Sequence, residues 1–339
     1  MKKYLLFGVL VLFVIGCGND KTNEKTDVTK GNEKAEEIVE SVRPIVYKFE
    51  KGKALNYKMT TILSNTQSIQ ADTLIKTEMI QNAVYLLELM PIDIGKDNVT
   101  ILEVFVKSIK VDANINGESM KYNSALILSD RERKFFVDYE SMKKKKFRIT
   151  VNKSGKILNI SNTKSIADEM LAIQDKAGSF TKEQMEQFIQ ELNSAVIRPF
   201  SEQLIRELGK EEMGINSSWE KKYNSMLAGF SIENSALFTL TGIENRNGKE
   251  IANISAQLSV TWKGQNQVSE QGVNYFFSDP DISGSGSLQF NLDDGLLEKS
   301  QTTMRMGMEV TMRSSDANQM PVTAVKKDMI VNSTIIEKL

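Results

Sequence analysis

Histidine is absent from this chain of 339 residues, cysteine occurs once, tryptophan twice and proline five times. Without histidine, no Ser-His-Asp or Cys-His nucleophilic site can be assembled. Ordinary zinc sites, which rest on Cys and His, go with them. One cysteine makes no intrachain disulfide, so the fold must be held by its hydrophobic core, although export would have permitted staples. An excess of one charge is lacking too. The 43 Lys and Arg against 44 Asp and Glu leave a net charge of −1, and a nucleic-acid partner would call for a basic stripe or patch. Nucleic acid is therefore excluded as a partner, and no cofactor is expected. The catalysis left open runs on carboxylates, Lys or Ser, with glycosidases the main example. The one basic run, Lys143 to Lys146, reads as a solvated strand edge or turn, where lysines discourage sheet-to-sheet pairing. Contact with anionic lipid head groups is its alternative.

What is present begins with an export signal. Lys2 and Lys3 precede an apolar stretch from Tyr4 to Ile15, and the small Gly16 stands before Cys17. The stretch is too short to span a bilayer comfortably. Val14-Ile15-Gly16-Cys17 resembles the lipobox of bacterial lipoproteins. That resemblance implies removal of residues 1–16 and acylation of Cys17, whose two or three chains would anchor the product firmly. Gly18 follows in place of the Asp that retains many enterobacterial lipoproteins in the inner membrane. By that analogy the destination is the cell envelope, on the periplasmic side of the outer membrane if the cell has two membranes. The membrane, through the acyl chains, is the first expected partner. Residues 17–43 are rich in Asn, Asp, Lys, Thr and Glu. They bury too little apolar surface to offset ordering, and read as a tether with a short helical turn at Glu36 to Val42.

The body, residues 44–339, is expected to be rich in strands. Leu55, Tyr57 and Met59 alternate with polar residues, Val99 to Val111 is a long β-branched run, and Asn116-Gly117 is a strong hairpin signal. Phe147, Ile149 and Val151 lead through Lys153-Ser154-Gly155 into Ile157, Leu158 and Ile160. Later, Ile254, Ala256, Leu258, Val260 and Trp262 alternate without a break. Leu288, Phe290 and Leu292 precede a turn at Asp293-Asp294-Gly295. Met304, Met306, Met308, Val310 and Met312 share one side of a strand. Such one-sided strands call for antiparallel sheet.

A helical insert over about 165–209 separates the two strand blocks. Thr181 and Gln184 fit a capping box, with Phe180 and Met185 at the staple positions. Met185, Phe188, Ile189, Leu192 and Val196 mark one helical face. Pro199 should kink or end the helix, and Gly209 suits a left-handed closing cap. Packing on its own domain is the expected use of this amphipathic face, ahead of lying on a membrane. The architecture is α+β: a curved antiparallel β-sheet, read as a half-barrel, with a central helical insert. The hairpins at Phe147–Ile157 and Leu288–Leu296 look alike, which raises two related halves as an expectation.

The segment Gly284-Ser285-Gly286-Ser287-Leu288-Gln289-Phe290-Asn291, with Gly295, Leu297, Ser300 and the Met304 to Met312 strand, resembles an uncharacterised bacterial lipoprotein family, domain of unknown function 6263. Lys51-Gly52-Lys53-Ala54-Leu55-Asn56-Tyr57 and Val151 to Gly155 resemble earlier strands of that family. Asn216-Ser217-Ser218-Trp219 falls where such proteins often carry a Gly-Asp-Ser-Trp-like turn, and departs from it at two positions. The resemblance runs from about Pro44 onward and implies no activity. A looser architectural likeness joins the chain to LolA- and LppX-like lipid-binding lipoproteins, on no shared motif.

The functional expectation is a non-enzymatic envelope lipoprotein with a structural or binding role, its ligand a lipid or other apolar molecule. The candidate face is Met304, Met306, Met308, Val310, Met312, Leu258, Val260 and Trp262, since methionines give adaptable apolar surface. The same face as a plain packed core is the competing reading. A carboxylate-based hydrolase of envelope glycans would use Asp293-Asp294 or Asp279 and Asp281, although Asp beside Gly or Pro is also a turn former. A protein-binding scaffold for an envelope protein is a further alternative. The methionine row as a soft-metal site lacks His or Cys support, and no metal is expected.

Overall fold

The computed structural model describes residues 44–209, 213–227, 230–263, 266–270, 273–314 and 323–339. Cys17 and the tether lie outside the described residues. The first strand block comprises β1 (Leu55–Gln70), β2 (Leu74–Ile94), β3 (Thr100–Ile115), β4 (Glu118–Asn123), β5 (Lys146–Val151) and β6 (Ile157–Ser161). The second comprises β7 (Ser218–Leu227), β8 (Phe230–Arg246), β9 (Lys249–Lys263), β10 (Gln267–Glu270), β11 (Val273–Phe277), β12 (Asp281–Asn291), β13 (Leu296–Ser314) and β14 (Thr323–Lys338). All 14 join one sheet of order β6-β5-β3-β2-β1-β14-β13-β12-β9-β8-β7, with β4 on β3 and the β10–β11 pair on β13. Every pairing is antiparallel, and the first and last strands meet in the middle of the sheet, Tyr57 opposite Lys338 and Gln70 opposite Val325. Asn116 and Gly117, both at positive φ, close the β3–β4 hairpin as the Asn-Gly signal predicts.

The helices are α1 (Asp130–Phe135), α2 (Val137–Met142), α3 (Lys164–Ile173), α4 (Lys182–Leu192) and α5 (Arg198–Leu204), with a π turn at Asn193–Ile197 between the last two. They cover one face of the sheet, here called the inner face. Ile166, Ala167, Leu192, Ile197, Phe200 and Leu204 share one core with Leu87, Leu102, Phe147, Ile149, Ile254 and Phe290. The amphipathic insert is thus packed on its own sheet. Its start follows the expected capping box: Gln184 N donates to Thr181 Oγ1 at 3.2 Å, and Thr181 N donates to Gln184 Oε1 at 2.8 Å.

The structure adds detail at four places. Pro199 does not end the helix, because the wide π turn just ahead of it relieves the crowding its ring would impose on an unbroken α-helix. The helix ends at Leu204, where Ile205 turns extended at φ −119 and ψ 100. Gly209 is therefore no left-handed cap. It lies against the Trp219 ring, which a Cβ would meet at 2.7 Å. Phe180 sets its ring against Phe188, centroids 5.7 Å apart, a turn further along than the staple position of Met185. Finally, helices also form ahead of the insert, where Ser129 and Glu132 make a second capping box at the start of α1.

A strap at Pro44–Phe49 ties one end of the molecule together. Tyr47 N donates to Lys153 O at 2.8 Å and Lys48 N to Gly295 O at 3.0 Å. The two hairpin turns that look alike in sequence therefore meet the same strap. Both need glycine at positive φ, and a Cβ on Gly155 would stand 2.5 Å from the Tyr47 ring while one on Gly295 would stand 2.5 Å from Lys48. The hairpins themselves occupy unlike places: β5–β6 forms an edge of the sheet and β12–β13 lies within it. Their likeness is one of turn chemistry.

Candidate functional site

Register settles which side chains share the inner face. Gly286, Thr302, Thr334 and Thr61 stand in one row across β12, β13, β14 and β1, and Gly284, Met304, Asn332 and Leu63 in the next. Ile282, Met306, Ile330 and Asn65 follow, then Met308, Asp328 and Gln67. Leu258 on β9 faces Gly284, which places it beside Met304. Met304, Met306, Met308, Val310 and Met312 do lie on one face, as their alternation predicts, and it is the face that carries the helices.

Burial then divides the row. Met304 and Leu258 belong to the main core with the helices. Met306 and Ile330 form a second cluster with Leu63, Val260 and Ile282, to which no described helical residue belongs. Met308 and Met312 are half-buried, as are Tyr275 and Phe277 on β11, which pair with Met312 and Val310. Beyond them the β1–β2 hairpin leaves Leu74 and Ile75 exposed. Trp262 lies in β9, and its side chain falls outside the described residues.

A polar cavity sits where the main core ends. Gln203 and Arg206, from α5 and the segment after it, face Leu258, Gly284, Thr302, Thr303, Met304, Asn332 and Thr334 across about 20 Å³ of space, room for one water. Gln203 is 3% exposed and Arg206 5%. The Arg206 guanidinium reaches Thr302 Oγ1 at 3.4 Å, while Gln203 Oε1 has no hydrogen-bond partner among the described residues. Arg206 is placed by its backbone: its N–H donates to Tyr47 Oη at 3.0 Å, and that hydroxyl donates to Arg206 O at 3.1 Å. Burial pushes the Tyr47 hydroxyl well above the ordinary tyrosine range, so it stays a donor. Sequence reading missed these polar residues. Their one signal is the interruption of an apolar alternation, Thr302 before Met304 and Asn332 and Thr334 between Ile330 and Ile336.

The carboxylate candidates hold turns and surface. Asp293 Oδ2 accepts from Glu250 N at 2.7 Å, and Asp294 pairs with Lys249 at 2.5 Å. That hydrogen bond to Lys249 holds the Asp294 carboxyl below its usual range. Asp279 and Asp281 border an open hollow of about 440 Å³ with Gly307, Glu309, Lys327 and Met329. Among the described residues no three carboxylates stand together as a metal-ligand set. Three of the four lysines in the basic run form ion pairs: Lys143 with Glu140 at 3.0 Å, Lys145 with Glu169 at 3.3 Å and Lys146 with Glu103 at 2.6 Å.

No curated protein matches the chain. A lipovitellin structure aligns with 84% of this chain and 25% of its own at 7% identity and TM-score 0.36. The chain thus spans about a quarter of that protein's length. The COG4313 outer membrane channel from Pseudomonas putida F1 aligns with 86% of this chain and 97% of its own at 9% identity and TM-score 0.21. A DUF1329 family protein from Desulfovibrio piger covers 80% and 83% at 8% identity and TM-score 0.12. Likenesses this weak carry no argument about fold or function, and none of the three ties the chain to the LolA- and LppX-like group. Residues 97–297 match the model of a family of unknown function, DUF6263, and the chain belongs to that family.

Proposed function

We propose that this DUF6263 member is a lipid-anchored envelope protein with a non-catalytic binding role, and that it takes an apolar ligand along the open stretch of its inner face. The observation that supports this is the divided methionine row. Met304 is sealed in the core, whereas Met308 and Met312, with Tyr275 and Phe277, are half-buried on either side of the buried Val310 and belong to neither apolar cluster. Flexible thioethers and aromatic rings on one face suit an apolar guest. The anchor follows from the sequence: Cys17 carries the acyl chains, the tether spaces the body from the membrane, and the periplasmic side of the outer membrane is the favoured site in a cell with two membranes.

Two experiments test the parts separately. Cys17→Ser should abolish lipid labelling and membrane partition of the exported chain, and unchanged mass and partition would refute the anchor. For the ligand, native mass spectrometry of mature residues 17–339 carrying Cys17→Ser, followed by organic extraction, should show a reproducible co-purifying lipid. A ligand-free protein that also fails to take up a fluorescent fatty acid would leave a scaffold for another envelope protein as the better reading.

A further inference from the structure

The sheet has two unlike ends. The strap ties the end that holds the turns at Lys153 and Gly295. At the far end lie the tip of the β1–β2 hairpin and the β10–β11 pair beside the end of β13. Register places Leu74, Val325 and Phe276 in one row on the outer face there, with Gln70 and Thr311 between them. On the inner face Ile75, Ile69 and Phe277 stand in the adjoining row, and Tyr275 and Val268 lie further out. Leu74 is 52% exposed, Ile75 59% and Val268 41%. Tyr275, Phe276 and Phe277 are half-buried.

A sheet that only covers a core is apolar on one face. At this end apolar side chains stand on both faces of the same strands. A protein seated on one face would leave the other wet, whereas a bilayer surrounds an inserted edge. The charges fit such a surface. Lys76 stands on the outer face two residues behind Leu74, about 7 Å along the strand. It is exposed, and among the described residues it forms no ion pair. Arg313 lies over the Phe276 ring, 5.2 Å from its centroid. Long basic stems of this kind lie along apolar surface and keep their heads among lipid phosphates. Aromatic rings favour the same level of the membrane.

We infer that this far end docks on a lipid bilayer, a second membrane contact separate from the acyl chains on Cys17. The exposed Asp72 in the β1–β2 turn keeps the contact shallow, at the level of the head groups. The body measures about 70 Å along the 21 residues of β2. Residues 17–43 enter at the strap end and extend to at most about 95 Å, so the anchor and the far end can share one membrane. Docking of this kind needs no ligand on the inner face.

The test uses residues 17–339 carrying Cys17→Ser, which lack the acyl chains, with vesicles of phosphatidylethanolamine and phosphatidylglycerol. The protein should sediment with the vesicles. Leu74→Ser with Ile75→Ser, both at exposed positions, should lower the partition constant about tenfold. Lys76→Gln should lower it about fivefold on these vesicles and leave partition to phosphatidylcholine unchanged. A polarity-sensitive fluorophore on a single introduced cysteine reads the location. Thr73→Cys at the hairpin tip should give a blue shift when vesicles are added, and Lys51→Cys beside the strap should not. Partition untouched by the Leu74 and Ile75 substitutions, or a shift at residue 51 and none at 73, overturns the inference. Self-association without vesicles that the same two substitutions abolish overturns it as well, because a second copy would then cover this end. No sedimentation at all also overturns it, and leaves the acyl anchor and the apolar ligand to their own tests.

Discussion

Met304 and Met312 stand on the same strand and the same face, eight residues apart, yet Met304 is sealed into the main core and Met312 is half-exposed. Their neighbours differ in the same way. Around Met304 the inner face is covered by α5 and the segment after it, while beside Met312 the neighbour is β11, paired edge to edge with β13 in the same sheet. The comparison separates two decisions that alternation alone runs together. The period of two decides which side chains share a face. Whether that face becomes a core is decided by what a distant stretch of chain lays over it. A sealed stretch contributes stability, and an open one has apolar surface left for a guest.

The largest expected effect breaks the sealed part. Phe290 is fully buried, with its ring edge-on to Tyr47 at 5.2 Å. Phe290→Ala should cost about 3–5 kcal/mol in chemical denaturation. Met312→Ala, from the open part, should cost only about 1 kcal/mol. Equal losses at the two positions would show that the open stretch is core as well. Next comes the strap that closes the sealed end. In Gly155→Ala a Cβ would collide with Arg206 O and the Tyr47 ring at a residue with φ +86. Overpacking of this kind should cost about 1–3 kcal/mol, and a melting temperature that stays put would mean the strap yields. A smaller effect is expected at the start of α4. Thr181→Ala removes one half of a capping box and should cost about 0.5–2 kcal/mol.

Much of this was legible in the sequence because it is local. The capping box at Thr181, the turns at Asn116-Gly117 and Asp293-Asp294-Gly295, and the shared face of the five residues from Met304 to Met312 all depend on neighbours a few positions apart. What was not legible joins distant parts of the chain. The strap needs Tyr47 to meet residue 206, and the polar cavity needs Gln203 and Arg206 to meet Thr302 and Asn332. Gly209 shows the same limit in reverse. Its place after an apolar stripe suggested a cap, but a ring from Trp219 is what requires a glycine there. Pro199 reads as a helix breaker until the π turn before it is seen, and nothing in the local residue types demands that turn. The split in the methionine row is of this second kind, since it is imposed by the helices.

The helical layer also contains a group that works against stability at neutral pH. Burial raises the Asp138 carboxyl above its usual range. A carboxyl whose folded pKa is raised binds its proton more tightly in the folded state. Its favourable contribution is therefore complete below the unfolded pKa and is lost as pH rises through the folded one. Asp138→Asn should accordingly raise stability at pH 7, and the advantage should shrink as the pH is brought down into the usual aspartate range. An advantage that is constant with pH would point to a packing effect.

The smallest effect is expected on the outer face of the central strands, and it bears on what the sheet spends its charges on. Lys327 and Glu309 pair at 2.8 Å across β14 and β13 beside the open hollow, with side chains 65% and 43% exposed. Water screens such a pair, and holding two long side chains in one geometry offsets most of the remaining attraction. A double-mutant cycle with Lys327→Met and Glu309→Gln should give a coupling under about 0.5 kcal/mol, smaller still in 0.5 M salt. The same cycle reads on function. If the ligand lies on the inner face, neither substitution should alter fatty-acid uptake, because both side chains point to the opposite side of the sheet from Met308 and Asp328. A fall in uptake with stability unchanged would move the ligand to the hollow on the outer face, and the contrast between sealed and open stretches of the inner face would then concern stability alone.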